Sequence, residues 1–270
     1  MTLRALLQRY VEQVSPTKRG YADEAIRIKA LQRARMAGYS LANLTPEVIA
    51  AFRDERLRTV KAGAVIRDLS LLSSAINHAR REWGLATENP CVLVRKPTAP
   101  PGRSRVLSAI EQERLLAALA PSGRRNPWML PLAQLALWTA MRRGELLALR
   151  WEQFDLARRV AFLPMTKNGQ PRAVPLSSNA VTLLSEMPRS ADGQVFPISA
   201  QTMEAAFKRA RTRAGLQDVR FHDLRHTATS EMAAKLPNVI ELAAVTGHRT
   251  IQMLKRYYHP TAEALAQKLG

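Results

Sequence analysis

The sequence is poor in cysteine. Cys91 is the single cysteine among 270 residues, which excludes an intrachain disulfide and a cysteine-based metal cluster. Its neighbours, Asn-Pro before it and Val-Leu after it, suit a small buried side chain better than a nucleophile. We therefore expect a protein that works in a reducing, cytoplasmic compartment.

Long apolar runs are lacking as well. None approaches the roughly 20 residues that cross a bilayer. Residues 1–10 read as an amphipathic helix without the apolar core and cleavage site of a secretory leader. Because 46% of the residues are hydrophobic, the composition is that of a folded globular chain. We do not expect a membrane-spanning protein.

Acidic residues are scarce. The chain has 22 of them against 41 lysines and arginines, which gives a formal net charge of +19. Such an excess destabilises a compact fold by self-repulsion unless a polyanion neutralises it. Nucleic acid is therefore the leading candidate partner, and an anionic membrane surface is the weaker alternative.

Residues 96–105 separate two regions of the chain. This stretch holds three prolines, one glycine and three cations, which is typical of an extended basic linker. A chain of this length can form two modest domains, so we predict one domain over residues 1–95 and another over residues 106–270. The linker cations Lys96, Arg103 and Arg105 are expected near phosphate groups of the partner.

The first domain is predicted to be a small helical bundle with basic outer faces. Thr45 and Pro46 mark the start of a helix, and apolar periodicity predicts a longer helix from about residue 64 to residue 83. Near the N-terminus, the residues expected to face the core are Leu3, Leu6, Leu7, Tyr10, Val11, Ile26, Ala30 and Leu31.

The second domain is predicted to be mainly α-helical. Ser108 and Glu111 form a capping box that opens a helix. Residues 128–150 read as one continuous helix, because apolar side chains recur along it at helical spacing. Helices are expected to dominate to the end of the chain.

A small antiparallel β-sheet is predicted within this domain. Residues 160–163 and 172–176 are short β-type runs, and the Asn168-Gly169 pair between them is a turn signal. These features predict a hairpin with Lys167 in its connecting segment.

Arginines, histidines and a tyrosine recur in short motifs along this second domain. The motifs are Thr-Ala-Met-Arg-Arg-Gly-Glu-Leu, Thr-Lys-Asn-Gly, His-Asp-Leu-Arg-His, Gly-His and Arg-Tyr-Tyr-His. The candidate site residues within them are Arg142, Lys167, His222, Arg225, His248 and Tyr257.

This set of side chains suits the cleavage of a phosphodiester. Arg142 and Arg225 could hold the non-bridging oxygens, because a guanidinium forms bidentate hydrogen bonds and stays charged. Tyr257 could attack phosphorus and form a covalent intermediate. Its phenol has an unperturbed pKa near 10, so neighbouring cations or a base must activate it.

Three further side chains could move or donate protons in the same reaction. Lys167, in the hairpin, could act as general acid to the leaving oxygen. His222 could take part in proton transfer, and His248 could donate to a phosphate oxygen.

Other interpretations of these residues remain open. His222 and His226 have the spacing of a zinc-binding helix, but the glutamate of that motif is missing and Arg225 would repel a cation. We therefore expect no metal, and His226 is interpreted as a structural residue. Tyr258 competes with Tyr257 for the role of nucleophile, although packing is its simplest role. Glu145 is expected in a buried salt bridge that orients an arginine.

In this order and spacing, the motifs resemble those of the tyrosine recombinase (phage integrase) family over almost the whole chain. Glu-Trp-Gly at residues 82–84 and the stretches 93–97 and 253–257 are most similar to shufflon-type DNA invertases and related integrases. The resemblance implies a helical core-binding (SAM-like) domain before an α-rich catalytic domain with its small sheet. Ala140 stands where the family commonly has a glycine, which is expected to be a mild change. The catalytic roles implied by the resemblance fall on Arg142, Lys167, His222, Arg225, His248 and Tyr257.

The resemblance also implies an activity and partners. The reaction would be site-specific DNA recombination, as inversion or as integration and excision, through a 3′-phosphotyrosyl intermediate. The enzyme would be a free monomer that forms a homotetramer on two double-stranded DNA sites, with accessory DNA-bending proteins as further partners. Transesterification keeps the bond energy, so no cofactor is expected, and the sequence has no Walker-type nucleotide loop. A bacterial or phage protein associated with the nucleoid fits these expectations.

Two other functions use the same features. A type IB topoisomerase-like relaxase shares the chemistry but acts as a monomer. A sequence-specific DNA-binding or architectural protein would have lost catalysis, and only such a protein would fail to form a covalent adduct with DNA.

Overall fold

A computed structural model describes residues 1–164, 171–258 and 262–270. The chain divides into two compact units, Met1–Gly102 and Arg103–Gly270. The division falls within the stretch 96–105 that the sequence predicts as a linker. The described residues are mostly helical with one small antiparallel sheet, so the predicted fold class is confirmed.

The first unit is built from helices joined by short turns. Its α-helices are α1 (Leu3–Gln13), α2 (Tyr21–Arg33), α3 (Pro46–Thr59) and α4 (Ala62–Glu82). As predicted, α3 begins after Thr45, whose Oγ1 accepts a hydrogen bond from the backbone N–H of Val48 at 3.4 Å. The long predicted helix corresponds to α4.

The predicted core residues of α1 and α2 can be compared with their burial in the first unit. Leu3, Leu6, Leu7 and Tyr10 of α1 are buried as predicted. The prediction for α2 is partly wrong, because Ile26 is 69% exposed whereas Ile28 is fully buried together with Leu31. Residues two apart on a helix point to nearly opposite sides, so burial of Ile28 leaves Ile26 in solvent. Ala30 is likewise exposed.

Cys91 lies in the core of the first unit, as its apolar neighbours indicate. The side chain is 5% exposed, and burial raises the pKa of its thiol to about 12. The thiol is therefore protonated at neutral pH and is not a nucleophile. Among the described residues, no helix is both long and apolar enough to cross a membrane.

The second unit contains the remaining helices and the sheet. Its α-helices are α5 (Ala109–Leu119), α6 (Met129–Thr139), α7 (Arg143–Leu147), α8 (Ser178–Glu186), α9 (Ala200–Arg213), α10 (Phe221–Lys235), α11 (Val239–Thr246), α12 (Ile251–Leu254) and α13 (Ala262–Leu269). Ser108 and Glu111 form the predicted capping box of α5, with both reciprocal hydrogen bonds present. The core of this unit is formed mainly by α5, α6, α9 and α10 together with one face of the sheet.

The sheet has three strands in the order β1 (Phe154–Asp155), β2 (Val160–Leu163) and β3 (Arg172–Pro175). The predicted hairpin is β2 and β3, which pair antiparallel with Ala161 opposite Val174. Both of these side chains are fully buried, while Phe162 is 51% exposed, as strand alternation requires. Lys167 and the Asn168-Gly169 turn lie outside the described residues.

The predicted continuous helix over residues 128–150 is wrong. The chain leaves helical geometry at Ala140, which has a left-handed backbone with φ of 50°, and α7 starts three residues later. Apolar periodicity does not reveal this break, because buried residues continue on both sides of it. The break places Arg142 at the N-terminal end of α7, where its side chain is free to turn toward α11.

Two of the predicted linker cations belong to the second unit and form ion pairs within it. Arg103 donates two hydrogen bonds to the buried carboxylate of Asp223, at 2.7 and 2.8 Å. Arg105 pairs with Glu111 and also lies 3.1 Å from Asp218. These carboxylates hold both guanidinium groups.

Candidate active site

Helix α10 carries three of the motif residues close to its start. The carboxylate of Asp223 accepts the backbone N–H of Arg220 at 2.8 Å and caps the helix. Arg225 and His226 are buried, whereas His222 is exposed. The ring centroids of His222 and His226 lie 5.0 Å apart in an edge-to-face arrangement.

The guanidinium of Arg225 is almost completely buried, with 4% of the residue exposed. It donates to the carbonyl oxygen of Ala140, and it donates to that of Thr246 at 2.7 Å. Burial lowers the pKa of Arg225 to about 10, with a further contribution from the positive charge of Arg142. Arg225 therefore remains charged at neutral pH and joins α10 to the ends of α6 and α11.

Arg142 binds the same segment. One nitrogen donates to the carbonyl oxygen of Gly247 at 2.8 Å, next in sequence to the carbonyl that Arg225 binds. Another donates to Glu145 at 2.8 Å. The two arginines thus converge on consecutive carbonyl groups at the end of α11, although 83 positions separate them in sequence.

Glu145 is a buried carboxylate shared by two arginines. It contacts Arg142, and it also accepts from Nη2 of Arg172 on β3 at 2.8 Å. Burial alone would raise its pKa, but hydrogen bonds from Arg142 and the charge of Arg172 outweigh burial and lower the pKa. The predicted buried salt bridge is confirmed. Arg172 is a partner that sequence reasoning missed, since its motif reads simply as a strand.

Gly247 ends α11 with a left-handed backbone, φ 68°. A Cβ added there would lie 2.9 Å from Nε of Arg172, so a larger residue would displace that side chain. Glycine thereby permits the close approach of β3 and α11 and directs the following residue, His248, toward Arg225.

His248 forms hydrogen bonds through both ring nitrogens. Its Nε2 lies 3.3 Å from Nη2 of Arg225, and its Nδ1 lies 2.6 Å from Oγ1 of Thr246. Burial lowers the pKa of His248 to about 3, assisted by the positive charges of Arg225 and Arg142. The imidazole is therefore neutral at pH 7. The partnership with Thr246 was not predicted from the sequence.

Tyr257 lies on the short 3₁₀ turn Lys255–Tyr257, and its ring centroid is 6.0 Å from that of His248. Its hydroxyl group is within hydrogen-bonding distance of Nδ1 of His226. Burial raises the pKa of the phenol, and the charges of Arg256 and Arg225 partly offset this effect. The ring packs against a small core that contains Leu242 and Leu254.

The structure brings together the described members of the predicted set. Arg142 and Arg225 bind consecutive carbonyl groups at the end of α11, Arg225 contacts His248, and the rings of His248 and Tyr257 lie 6.0 Å apart. His222 approaches this group through His226. Burial lowers the pKa of His226 to about 4, so its ring is neutral and can accept a proton. His226, which was interpreted as a structural residue, thus contacts the hydroxyl group of Tyr257. Its position directly after Arg225 was the available sequence signal for this contact.

The arrangement is suited to bind an anionic oxygen next to the phenol of Tyr257. Two charged guanidinium groups and one imidazole surround the end of α11, and a tyrosine hydroxyl lies beside them. Within the part of the chain that the structure describes, no group of three or more His, Cys, Asp or Glu side chains could hold a metal ion. The two guanidinium groups can bind a phosphate, and the tyrosine hydroxyl can present an oxygen nucleophile.

Comparisons with known proteins agree with this chemistry. The model of the phage integrase family matches residues 105–264. A shufflon-specific DNA recombinase of Escherichia coli is 42% identical over 280 residues, covering 100% of this chain and 72% of the relative.

Solved structures share the fold at low sequence identity. The Tn1549 transposon integrase in complex with circular intermediate DNA is 17% identical with a TM-score of 0.77, covering 100% of this chain and 99% of the other. A lambda integrase tetramer bound to a Holliday junction is 22% identical with a TM-score of 0.72, covering 93% and 78%. The chain belongs to the phage integrase family. It is an enzyme, a tyrosine-type site-specific recombinase.

Proposed function

We propose that this recombinase cleaves and rejoins DNA strands by transesterification, with Tyr257 as the nucleophile. The observation that carries the proposal is the position of Tyr257, whose ring is 6.0 Å from His248, itself in contact with Arg225. The phenol oxygen forms a bond to phosphorus, and the bond from phosphorus to the 5′ oxygen breaks. The product is a 3′-phosphotyrosyl intermediate and a free 5′ hydroxyl.

In the proposed reaction, Arg142 and Arg225 bind the non-bridging oxygens of the scissile phosphate, and His248 donates to one of them. The phenolic proton of Tyr257 passes to Nδ1 of His226, which lies within hydrogen-bonding distance, and His222 takes part in proton transfer. Lys167 protonates the 5′ oxygen as it departs. In the second step the 5′ hydroxyl of another strand attacks the phosphotyrosyl group, which restores the phenol and requires no outside source of energy.

We further propose that the substrate is double-stranded DNA carrying two recombination sites. The net charge of +19 supports a polyanionic substrate, and the shufflon-specific relative is by name a DNA recombinase. In this proposal residues 1–95 are the core-binding domain, residues 96–105 the linker and residues 106–270 the catalytic domain. A homotetramer would assemble on two sites, by analogy with the lambda integrase tetramer on its Holliday junction. The placement of the two sites and accessory DNA-bending proteins would decide between inversion, integration and excision.

A suicide substrate tests the proposal. Duplexes that bind the wild-type chain are first selected from a randomised pool. Their selected sequence is then nicked near the cleavage position, so that the short fragment with the free 5′ hydroxyl diffuses away and the covalent intermediate is trapped. Wild type, Tyr257→Phe and Tyr258→Phe are incubated with this DNA in EDTA, and the products are separated on a denaturing gel.

The expected result is a covalent adduct with wild type and with Tyr258→Phe, and none with Tyr257→Phe. An adduct lost only in Tyr258→Phe would move the nucleophile by one residue. Wild type that binds the DNA but forms no adduct would favour a non-catalytic DNA-binding protein instead. Relaxation of supercoiled DNA without strand exchange would favour the topoisomerase-like alternative.

A further inference from the structure

The hydroxyl group of Thr246 makes two contacts that each require a proton. Its Oγ1 lies 2.6 Å from the carbonyl oxygen of Leu242, one turn earlier in α11, and 2.6 Å from Nδ1 of His248. A threonine hydroxyl has one proton to donate, and its oxygen can also accept. Because a carbonyl oxygen carries no proton, the hydroxyl proton must point to Leu242.

The contact between Thr246 and His248 then needs the proton of the ring. Nδ1 of His248 carries the hydrogen and donates to Oγ1, so Nε2 of the neutral ring is an acceptor. An independent contact leads to the same assignment. Nη2 of Arg225 can only donate, and it lies 3.3 Å from Nε2. The partners at both ends of the ring therefore select one tautomer.

In this tautomer, His248 cannot donate to a phosphate oxygen through Nε2. The charged and titratable groups around the ring are Arg225 and His226 on α10, Arg142 before α7, and Arg256 and Tyr257 on the last 3₁₀ turn. Positive charge prevails among them, and burial together with that charge lowers the pKa of His248 to about 3. The ring gains a proton only when an anion compensates the nearby guanidinium groups.

We propose that Thr246 is a positioning residue that couples phosphate binding to proton uptake. Its hydroxyl holds His248 in the Nδ1–H tautomer, so that Nε2 donates only after the ring takes a proton from solvent. The arriving phosphate oxygen lies between Nε2 and Arg225, replaces their mutual contact, and stabilises the imidazolium by a charge-assisted hydrogen bond. This inference rests on the proposed function, because it places the scissile phosphate at His248.

The tautomer can be measured directly in the DNA-free full chain. Histidines are labelled with ¹⁵N, and long-range ¹H–¹⁵N correlation spectra at pH 7 distinguish protonated from bare ring nitrogens. The signal absent from His248→Gln assigns the ring. We expect a protonated Nδ1 and a bare Nε2. A proton on Nε2 would overturn the proposal, whether or not the chain cleaves DNA.

Variants of the threonine separate its hydroxyl from its bulk. Thr246→Val removes the acceptor and leaves only the longer contact with Arg225 to select the tautomer. The Nε2–H form should therefore gain population in Thr246→Val, whereas Thr246→Ser should keep the wild-type spectrum. Thr229→Val is the matched control. Thr229 is also buried and bonds a carbonyl one turn earlier, that of Arg225 at 2.8 Å, and its loss should leave the tautomer of His248 unchanged. A Thr246→Val spectrum with no gain of the Nε2–H form would contradict the role assigned to Thr246.

Proton uptake tests the second half of the proposal. All proteins carry Tyr257→Phe, so that the selected DNA is bound without cleavage, and binding heats are compared in buffers of different ionisation enthalpy. With Thr246 present, we expect uptake of about one proton per bound site at pH 7. Thr246→Val should take up clearly less and bind up to about tenfold more weakly. Equal proton uptake by the protein that keeps Thr246 and by Thr246→Val would refute the coupling between phosphate binding and proton uptake. So would the absence of proton uptake in the protein that keeps Thr246. Failure of the proposed function would be visible separately, as the absence of an adduct with wild type on the same DNA.

Discussion

The hydroxyl group of Tyr257 lies against Nδ1 of His226, and the two rings are nearly parallel, with centroids 5.8 Å apart and an angle of 30°. Burial raises the pKa of the phenol, while it lowers the pKa of His226 to about 4. A neutral imidazole thus faces a protonated phenol at pH 7. The contact suits transfer of the phenolic proton to His226 as Tyr257 attacks.

Replacement of His226 is expected to slow formation of the covalent adduct. His226→Asn removes the ring that accepts the proton, and loss of a general base commonly costs about 100-fold or more in rate. Single-turnover rates on the suicide substrate measure the effect. His78→Asn, which changes a histidine that contacts Tyr10 and Trp83 in the first unit, is the control and should cleave at the wild-type rate. A wild-type rate for His226→Asn would show that another group takes the proton.

The buried carboxylate of Glu145 is expected to contribute strongly to stability. Glu145→Gln leaves Arg142 and Arg172 without their shared counter-charge, and breaking a buried ion pair costs about 3 kcal/mol or more in the free energy of unfolding. Chemical denaturation measures this loss.

An exposed ion pair is the matched control for Glu145. Glu204 pairs with Arg143 at 2.9 Å, and both side chains are at least half exposed. Glu204→Gln should therefore change the free energy of unfolding by less than about 1 kcal/mol. Equal effects of the two substitutions would mean that the Glu145 bridge is no stronger than a surface pair.

Ala140 is expected to limit the stability of the free enzyme. Its φ of 50° is unfavourable for a residue with a Cβ, so Ala140→Gly should raise the free energy of unfolding by about 0.5–1 kcal/mol. Ala136→Gly, within the regular part of α6, should instead lower it by about 1 kcal/mol. Thermal unfolding should therefore show a gain of stability for Ala140→Gly and a loss for Ala136→Gly. A loss of stability in both variants would contradict the strained conformation at Ala140.

The stability of the free protein is expected to decrease in mild acid. Burial and nearby arginines lower the pKa of His248 from 6.5 to about 3. Between these values the unfolded chain binds a proton that the folded chain does not, so the free energy of unfolding falls as the pH falls. The contribution of His248 is present above pH 6.5 and should decline by about 2–3 kcal/mol between pH 7 and pH 4.

A histidine variant isolates this contribution from those of the carboxylates. His248→Gln keeps His226, Glu145 and Asp223, whose pKa values are also lowered in the fold, and removes only the ring of His248. The variant should lose less stability than wild type between pH 7 and pH 4. Identical losses in urea titrations at the two pH values would argue against a neutral, buried His248.

Local signals in the sequence were sufficient for much of this fold. Thr45 and Ser108, followed by helical patterns, mark the starts of two helices. Strand alternation at Ala161 reflects a sheet with one buried face. The break at Ala140 was missed because a left-handed residue leaves no trace in hydrophobic periodicity. Ile26 was misassigned because an apolar residue on a short helix is compatible with either face.

The candidate site was predictable as a set of residues and only partly as a network. Tyr257 and Arg225 stand in motifs whose chemistry is readable from the side chains alone. The hydrogen bonds and ion pairs that position these side chains could not be predicted from the motifs. Arg172 reaches Glu145 from another strand, and Thr246 contacts His248 through a turn at the end of α11. Such contacts depend on how separate elements pack, and spacing along the chain does not encode them.

The residue that becomes linked to DNA is the most direct test of the account. Adduct from the suicide substrate is digested with nuclease and trypsin, and tandem mass spectrometry locates the remaining nucleotide on its peptide. The account predicts a phosphodiester on the phenolic oxygen of Tyr257. Attachment to Tyr258, or to any serine, histidine or lysine, would contradict it.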